Sequence, residues 1–175
     1  MGMMDFFKKA GEKLFGHKEE EAVAVAEQVA AAPDDGAAKA KLDALNRAAA
    51  EGIEAYVKTQ NLEATALTIT FDAASSTVNV FGVAADQATK EKIALCCGNV
   101  SGVAKVNDNM TVDQSTPADE SEWHEVVAGD NLSKIAKEYY DDANKYPVIF
   151  EANKPMLKHP DKIYPGQLLR IPPLE

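Results

Sequence analysis

The feature that most constrains the fold is a polar stretch in the second half of the chain. Residues 113–122 carry no large apolar side chain, and Pro117 stands among Asp, Glu, Ser and Thr. Such a stretch adds nothing to a hydrophobic core and is typical of an exposed linker. Each side must therefore bury its own apolar residues, and the 175-residue chain is predicted to form two small domains.

The first domain opens with a helix and a hairpin. Apolar residues fall on one helical stripe between 37 and 60. Residues 67–71 and 78–80 then alternate apolar and polar side chains on either side of a turn, which predicts two antiparallel strands.

A second helix and a third strand complete this domain. Residues 86–97 have helical character, with Asp86 placed to cap the N-terminus and Gly98 placed to end the helix. Residues 103–112 alternate as one strand. The order α-β-β-α-β predicts an α+β fold over 38–112, with the helices on one face of the sheet.

The second domain, residues 123–175, is predicted to be β-α-α-β. Trp123–Val127 has the pattern of a short strand, and Gln167–Ile171 that of the last one. Between them, Asn131–Tyr140 and Ala143–Asn153 have the periodicity of two helices.

The segment before the first domain divides in two. Residues 1–16 are predicted to form a helix that packs on the first domain, because apolar residues recur at helical spacing: Met3, Phe7, Ala10 and Leu14. A membrane-surface helix is the alternative. Residues 17–37 are rich in Ala and Glu and break at Pro33, so we expect an exposed linker or a loosely attached helix.

Composition restricts the function further. The formal net charge of −10 argues against nucleic-acid binding, and no apolar run reaches the roughly 18 residues of a membrane span. Lys8 and Lys9 interrupt any signal peptide, which predicts a cytoplasmic protein. Three scattered histidines, expected at the surface, and the adjacent Cys96 and Cys97 have no metal-binding or catalytic spacing, so no enzymatic activity is expected.

Two known domain types resemble parts of this chain. The second half resembles a LysM domain, in residues 126–136, 149–153 and 163–172. The middle resembles a BON domain, most clearly in residues 78–82 and 98–106. Together with the leading segment FFKKAGEKLF, the pair resembles the cytoplasmic potassium-binding protein family of bacteria, from which residues 17–37 depart as an insertion.

This resemblance implies selective K⁺ binding, with Rb⁺ or Cs⁺ able to substitute. It also implies a potassium-linked compaction of the two domains and a role in potassium sensing or osmotic stress. An unidentified protein partner is left open. The ion site implied is made of main-chain oxygens, from Phe7, Ala10, Glu12, Gly98, Val100 and Val103.

The residues themselves support such a site in part. K⁺ favours several neutral oxygens, and a helix C-terminus exposes unpaired carbonyls at the negative end of its dipole. Gly98 and Gly102 could bend the backbone there, and we expect a positive φ at Gly98. The alternative is that the two glycines only end a helix and begin a strand.

The LysM resemblance suggests a different function, binding of N-acetylglucosamine polymers such as peptidoglycan. The groove would use seven residues: Gly129, Asp130, Asn131, Leu132, Met156, Leu157 and Ile163. Without an export signal the wall polymer is out of reach, so peptidoglycan is not the expected partner. A phospholipid-facing BON domain is a third alternative with the same difficulty.

Overall fold

The computed structural model describes residues 2–5, 18–32, 35–113 and 120–174. The first part contains β1 (Gly2–Asp5), α1 (Lys18–Ala31), α2 (Gly36–Thr59), β2 (Ala64–Asp72), β3 (Thr77–Ala84), α3 (Gln87–Gly98), β4 (Lys105–Asp108) and β5 (Thr111–Val112). The second contains β6 (Glu122–Glu125), α4 (Leu132–Tyr140), a 3-10 helix (Ala143–Lys145), α5 (Tyr146–Ala152) and β7 (Leu168–Ile171). The predicted α+β class is confirmed, and the order from α2 to β4 is the predicted α-β-β-α-β.

One sheet carries the first domain, in the order β1-β4-β3-β2. Strands β2 and β3 form the predicted hairpin, whereas β4 and β5 both run parallel to β3. The single third strand predicted over 103–112 is therefore wrong in detail, because the chain breaks between β4 and β5. The Asp108 carboxylate accepts a hydrogen bond from the Met110 N–H at 2.9 Å and turns the backbone there.

The first core lies between this sheet and its helices. Ile53 and Val57 of α2 and Ile93 of α3 meet Val78 and Val80 of β3, all with at most 1% of their surface exposed. The opposite face of the sheet is polar and carries a hydrogen-bonded row, in which Asn107 donates to Asn79 and Asn79 donates to Thr70. Because alternate strand residues point to opposite faces, this division is what the alternation predicts.

The N-terminus departs from the sequence-based expectation. Residues 2–5 are an edge strand, not the start of a helix, and β1 pairs antiparallel with β4 from Gly2↔Asp108 to Asp5↔Lys105. Without β1, the outer edge of β4 would carry unpaired backbone groups, so this pairing outweighs helical spacing. The rest of the predicted helix, residues 6–17, lies outside the described residues.

Of the two alternatives for 17–37, an exposed linker or a loosely attached helix, the structure shows a helix over Lys18–Ala31, and this helix is packed rather than loose. Helix α1 packs on α2, with Ala22 and Ala26 in the first core and Val25 buried. Small side chains let two helices approach closely, so a helix without large apolar residues still contributes to a core. Helix α2 then begins behind Asp35, whose carboxylate accepts hydrogen bonds from two backbone N–H groups of its first turn.

The second domain has the predicted β-α-α-β order. Strands β6 and β7 pair antiparallel, and α4 and α5 contribute Leu132, Ile135 and Ile149 to a separate core. The predicted second helix begins with the 3-10 turn, which Asp142 caps by accepting from the Asn144 N–H at 2.9 Å. Neighbouring Asp141 instead ends α4 in a left-handed conformation.

Candidate functional site

The candidate site begins where α3 ends. The Asp86 carboxylate caps its start by accepting from the Thr89 N–H at 2.6 Å. At the other end, the Asn99 N–H donates to the Leu95 carbonyl at 3.0 Å and is the last helical bond. The carbonyls of the final turn have no further helical donors, so the negative end of the helix dipole lies at Gly98 and Asn99.

The backbone conformation at this end differs from the expectation. Gly98 is the last residue of the helix and does not have a positive φ, and Asn99 follows with φ −80° and ψ 7°. The positive φ falls on Gly102, at 92°. The helix ends without a left-handed glycine, and the chain reverses three residues later, where only glycine takes this φ at low cost.

The turn from Gly98 to Val103 brings the three described candidate ligands together. The Val100 carbonyl accepts a hydrogen bond from the Val103 N–H at 3.2 Å. Within the described parts of the chain, no hydrogen bond ends on the carbonyl of Gly98 or of Val103. Both are neutral main-chain oxygens near the negative end of the helix dipole.

The apolar residues of this turn are buried. Val100 and Val103 are 0% and 1% exposed and belong to the first core, and Gly98 is buried with them. Their side chains hold the turn in place by packing, while their carbonyl oxygens would be the ligands. Cys96 and Cys97 lie in the same core, and burial raises the pKa of the Cys97 thiol well above its usual value.

The other three candidate ligands, Phe7, Ala10 and Glu12, lie outside the described residues. Strand β1, which precedes them in the sequence, is described. Its last residue, Asp5, pairs with Lys105, two residues after Val103. The described N-terminal strand therefore ends near the turn at 98–103.

The second domain contacts the same helix, which the sequence did not predict. The Arg170 Nε of β7 donates to the Glu91 Oε2 of α3 at 2.5 Å, and the two residues are only 7% and 3% exposed. The Ser121 N–H, just before β6, donates to the other Glu91 oxygen at 3.1 Å. Met156 packs against the first core. The two domains thus share a buried polar contact on α3.

The residues predicted for a sugar groove have other roles. Leu132 and Leu157 are each 2% exposed and close the second core, against which Ile163 also packs. Asn131 caps α4 by accepting from the Lys134 N–H at 2.9 Å. Met156 is used in the domain contact. Leu132, Leu157 and Ile163 thus lie together in the second core, and the buried Leu132 and Leu157 do not offer an exposed apolar surface.

Asp130, another residue of that groove, holds a hydrogen-bonded cluster. Its carboxylate contacts the His124 Nε2 at 3.0 Å and accepts from the Val127 N–H at 2.9 Å. These contacts, that of His124 first, lower the pKa of Asp130. The His124 Nδ1 contacts the Tyr139 hydroxyl at 3.2 Å. His124 was expected at the surface, but its side chain is only 13% exposed, and the cluster joins β6 to α4.

A groove that the sequence did not predict lies elsewhere on the second domain. Its walls combine acidic residues with aromatic and apolar ones, namely Glu120, Glu122, Glu138, Asp141, Tyr139, Tyr140, Ile171, Pro172, Pro173 and Leu174. None of the seven predicted sugar-groove residues belongs to it.

Among the helices of the described ranges, none is both long and apolar enough to cross a membrane. Across the same ranges, no three His, Cys, Asp or Glu side chains are grouped so that they could hold a metal ion.

Comparison with known proteins gives three similarities. The family model of the LysM domain matches residues 124–172. An uncharacterized protein of Deinococcus radiodurans is 51% identical over 47 residues, which are 27% of this chain and 18% of that protein. The potassium binding protein Kbp of Escherichia coli O6:H1 is 41% identical over 173 residues, which cover 98% of this chain and 99% of that protein. Such identity over both full lengths shows that this chain belongs to the family of the potassium binding protein Kbp.

Proposed function

We propose that this chain binds the potassium ion, through main-chain oxygens of Gly98, Val100 and Val103 and of Phe7, Ala10 and Glu12. The observation that carries the proposal is the similarity to a potassium binding protein over nearly the whole of both chains. It extends across the leading segment and both domains, so it includes all six proposed ligand positions.

The chemistry of the turn agrees with a weakly hydrated monovalent cation. Rings of backbone carbonyls replace the hydration shell of K⁺ in channel filters, whereas clustered carboxylates favour Ca²⁺ or Mg²⁺. At this turn the oxygens are neutral and the helix dipole adds a partial negative charge. Rb⁺ and Cs⁺, which are also large and monovalent, should bind as well.

The remaining parts of the proposal concern organisation and role. The first domain is a BON domain, supported by the α-β-β-α-β order and by the motifs at 78–82 and 98–106. Ion binding orders the N-terminal segment on the turn at 98–103 and favours compact packing of the two domains. The protein acts in the cytoplasm as a potassium sensor or buffer under osmotic stress, without catalysis.

Melting temperatures in different chloride salts test this function. A ligand that binds only the folded state stabilises it by RT ln(1 + [L]/Kd), about 2.7 kcal/mol at 100 times Kd. KCl, RbCl and CsCl should raise the melting temperature, and equal NaCl should do little. Equal shifts with NaCl and KCl would instead mean that salt screens the net charge of −10, and the proposal would fail.

The match of the LysM family to residues 124–172 supports a second candidate, binding of an N-acetylglucosamine polymer. Titration with a chitin oligomer separates the two functions, because a sugar response would come from the second domain and would not depend on KCl.

A further inference from the structure

The contact between the domains and the candidate ion site lie on the same helix. Glu91 and Gly98 are seven residues apart in α3, which is two helical turns, so they lie on the same face roughly 10 Å apart along the axis. The second domain touches this helix at two points. Arg170 pairs with Glu91, and the Tyr164 hydroxyl donates to the Asn99 Oδ1 at 3.3 Å, next to Gly98.

Glu91 is the centre of the buried contact. Its carboxylate accepts hydrogen bonds from three different parts of the chain: Gln87 within α3, the Ser121 backbone before β6, and Arg170 in β7. The backbone of Arg170 is fixed in turn by Asn153, which bonds both its N–H and its carbonyl at 2.8 Å. All partners are therefore held in place when the domains are docked.

The free energy of a buried ion pair suits a contact that forms and separates. Separating the domains rehydrates both charges, whereas docking removes both from water and gains their mutual attraction. These two contributions nearly cancel for buried ion pairs, and an apolar pair of similar volume often binds as well or better. Removal of one partner is costly, however, because the other charge stays buried and unpaired. A buried ion pair of this kind adds little net free energy to the docked state, whereas the loss of one partner disfavours it strongly.

We propose that the Glu91–Arg170 ion pair is the latch that docks the second domain on α3 and couples this docking to occupation of the turn at 98–103. The inference rests on the proposed function, since the occupant of the turn is K⁺. An ion shifts a docking equilibrium only if it binds the docked and the undocked states with different affinity. The hydrogen bond between Tyr164 and Asn99 supplies this difference in affinity, because it joins the turn to the second domain.

A native probe for docking lies next to the latch. Trp123, the only tryptophan in the chain, is the cross-strand partner of Arg170 in the β6–β7 pair. Residues directly opposite each other in an antiparallel pair share one face of the sheet. The emission of Trp123 should therefore change when Arg170 leaves or joins Glu91.

The test uses three variants of the full chain, each titrated with KCl and NaCl while Trp123 emission and small-angle scattering are recorded. Glu91→Gln removes the charge that faces Arg170. Glu54→Gln is the matched control, because Glu54 pairs with the exposed Lys58 at 2.6 Å within α2. The double variant Glu91→Met with Arg170→Met replaces the latch by an apolar contact. Far-UV circular dichroism checks that each variant is folded.

The latch predicts a distinct result for each variant. Wild type and Glu54→Gln compact with KCl and not with NaCl. Glu91→Gln stays extended and binds K⁺ at least about 5-fold more weakly than wild type. A change of about 5-fold is the lower end of typical allosteric coupling. The double variant is compact without K⁺ and shows a smaller K⁺-induced change in emission.

Two outcomes overturn the proposal and can be told apart. If wild type responds to KCl and Glu91→Gln responds equally, the latch is wrong while the proposed function stands. If wild type shows no K⁺ response of any kind, the proposed function fails and the coupling fails with it.

Discussion

Tyr164 of the second domain donates a hydrogen bond to the Asn99 side chain of the first at 3.3 Å, one residue beyond the carbonyl of Gly98. Tyr164→Phe removes this bond and keeps the ring, so docking should weaken by about 1 kcal/mol. Calorimetry with KCl should show a correspondingly lower affinity. Tyr146→Phe, at an exposed tyrosine of the same domain, is the control, and equal affinities for both variants would contradict the link.

The turn itself can be tested at Gly102. Its φ of 92° is unfavourable for a residue with a Cβ atom, so Gly102→Ala should destabilise the first domain by about 1–2 kcal/mol. The strain displaces the carbonyls of Val100 and Val103, and K⁺ affinity should fall with it. Urea unfolding and calorimetry measure the two effects.

The matched control for that variant is Gly129→Ala in the second domain. Gly129 has a φ of 94°, and a Cβ there would meet no atom within 4 Å. The strain is therefore similar, while the turn at 98–103 is not touched. If both variants lower K⁺ affinity equally, the loss comes from general destabilisation and the site is not at this turn.

Removal of the leading segment should abolish the ion response. Deletion of residues 1–15 takes away three proposed ligands and β1, while the second domain keeps its separate core. Deletion of residues 1–5 removes β1 alone and should keep a weakened response. Hydrogen exchange of α4 and α5 should stay at the wild-type level in both. Full K⁺ affinity in the longer deletion would place the site elsewhere.

Acid should release the latch. Burial raises the pKa of Glu91, but hydrogen bonds from Arg170, Gln87 and Ser121 outweigh it, and the pKa lies below the ordinary value of 4.5. For a lowered carboxylate pKa, the stabilisation is fully present above the unfolded-state value and is lost as the pH falls through the folded one. Docking should thus be constant from pH 7 to about 5 and weaken below 4.5.

The acid experiment compares wild type with Glu91→Gln, so the other charged groups near Glu91 must be the same in both chains. Lys92 is next to Glu91 in α3, and its pKa is affected by Asp86 at the helix N-cap, by Arg170 of β7 and by Glu151 of α5. These groups remain in Glu91→Gln, so the difference between wild type and this variant isolates Glu91. The measurement is the pH dependence of Trp123 emission, and an identical acid transition in both chains would contradict the assignment.

The first domain could be predicted well because its signals are local. Alternation over 67–71 and 78–80 and the cap at Asp86 determine strand and helix by themselves. The predictions fail where contacts with distant parts of the chain determine the local structure. Met3 begins a stripe of helical spacing, but pairing with the edge of β4 makes residues 2–5 a strand. Residues 18–31 lack large apolar side chains, yet α2 offers a surface that alanines fit.

For the candidate ion site, the sequence indicated the end of α3 but assigned the left-handed conformation to the wrong glycine. The end of α3 was predicted from Gly98, whereas the left-handed residue is Gly102, because the helix ends on Asn99 without a glycine cap. The Glu91–Arg170 contact could not be predicted, since 79 residues separate the partners and neither shows a local pattern. Charged residues at such positions are usually exposed, and only packing of the two domains reveals that these are buried.

Titration calorimetry of the desalted 175-residue chain with KCl and with NaCl tests the central claim most directly. Potassium binding at a single carbonyl site predicts a saturable heat with KCl at one ion per chain, and only the heat of dilution with NaCl. The absence of saturable heat with KCl, or equal heats with both salts, would contradict it.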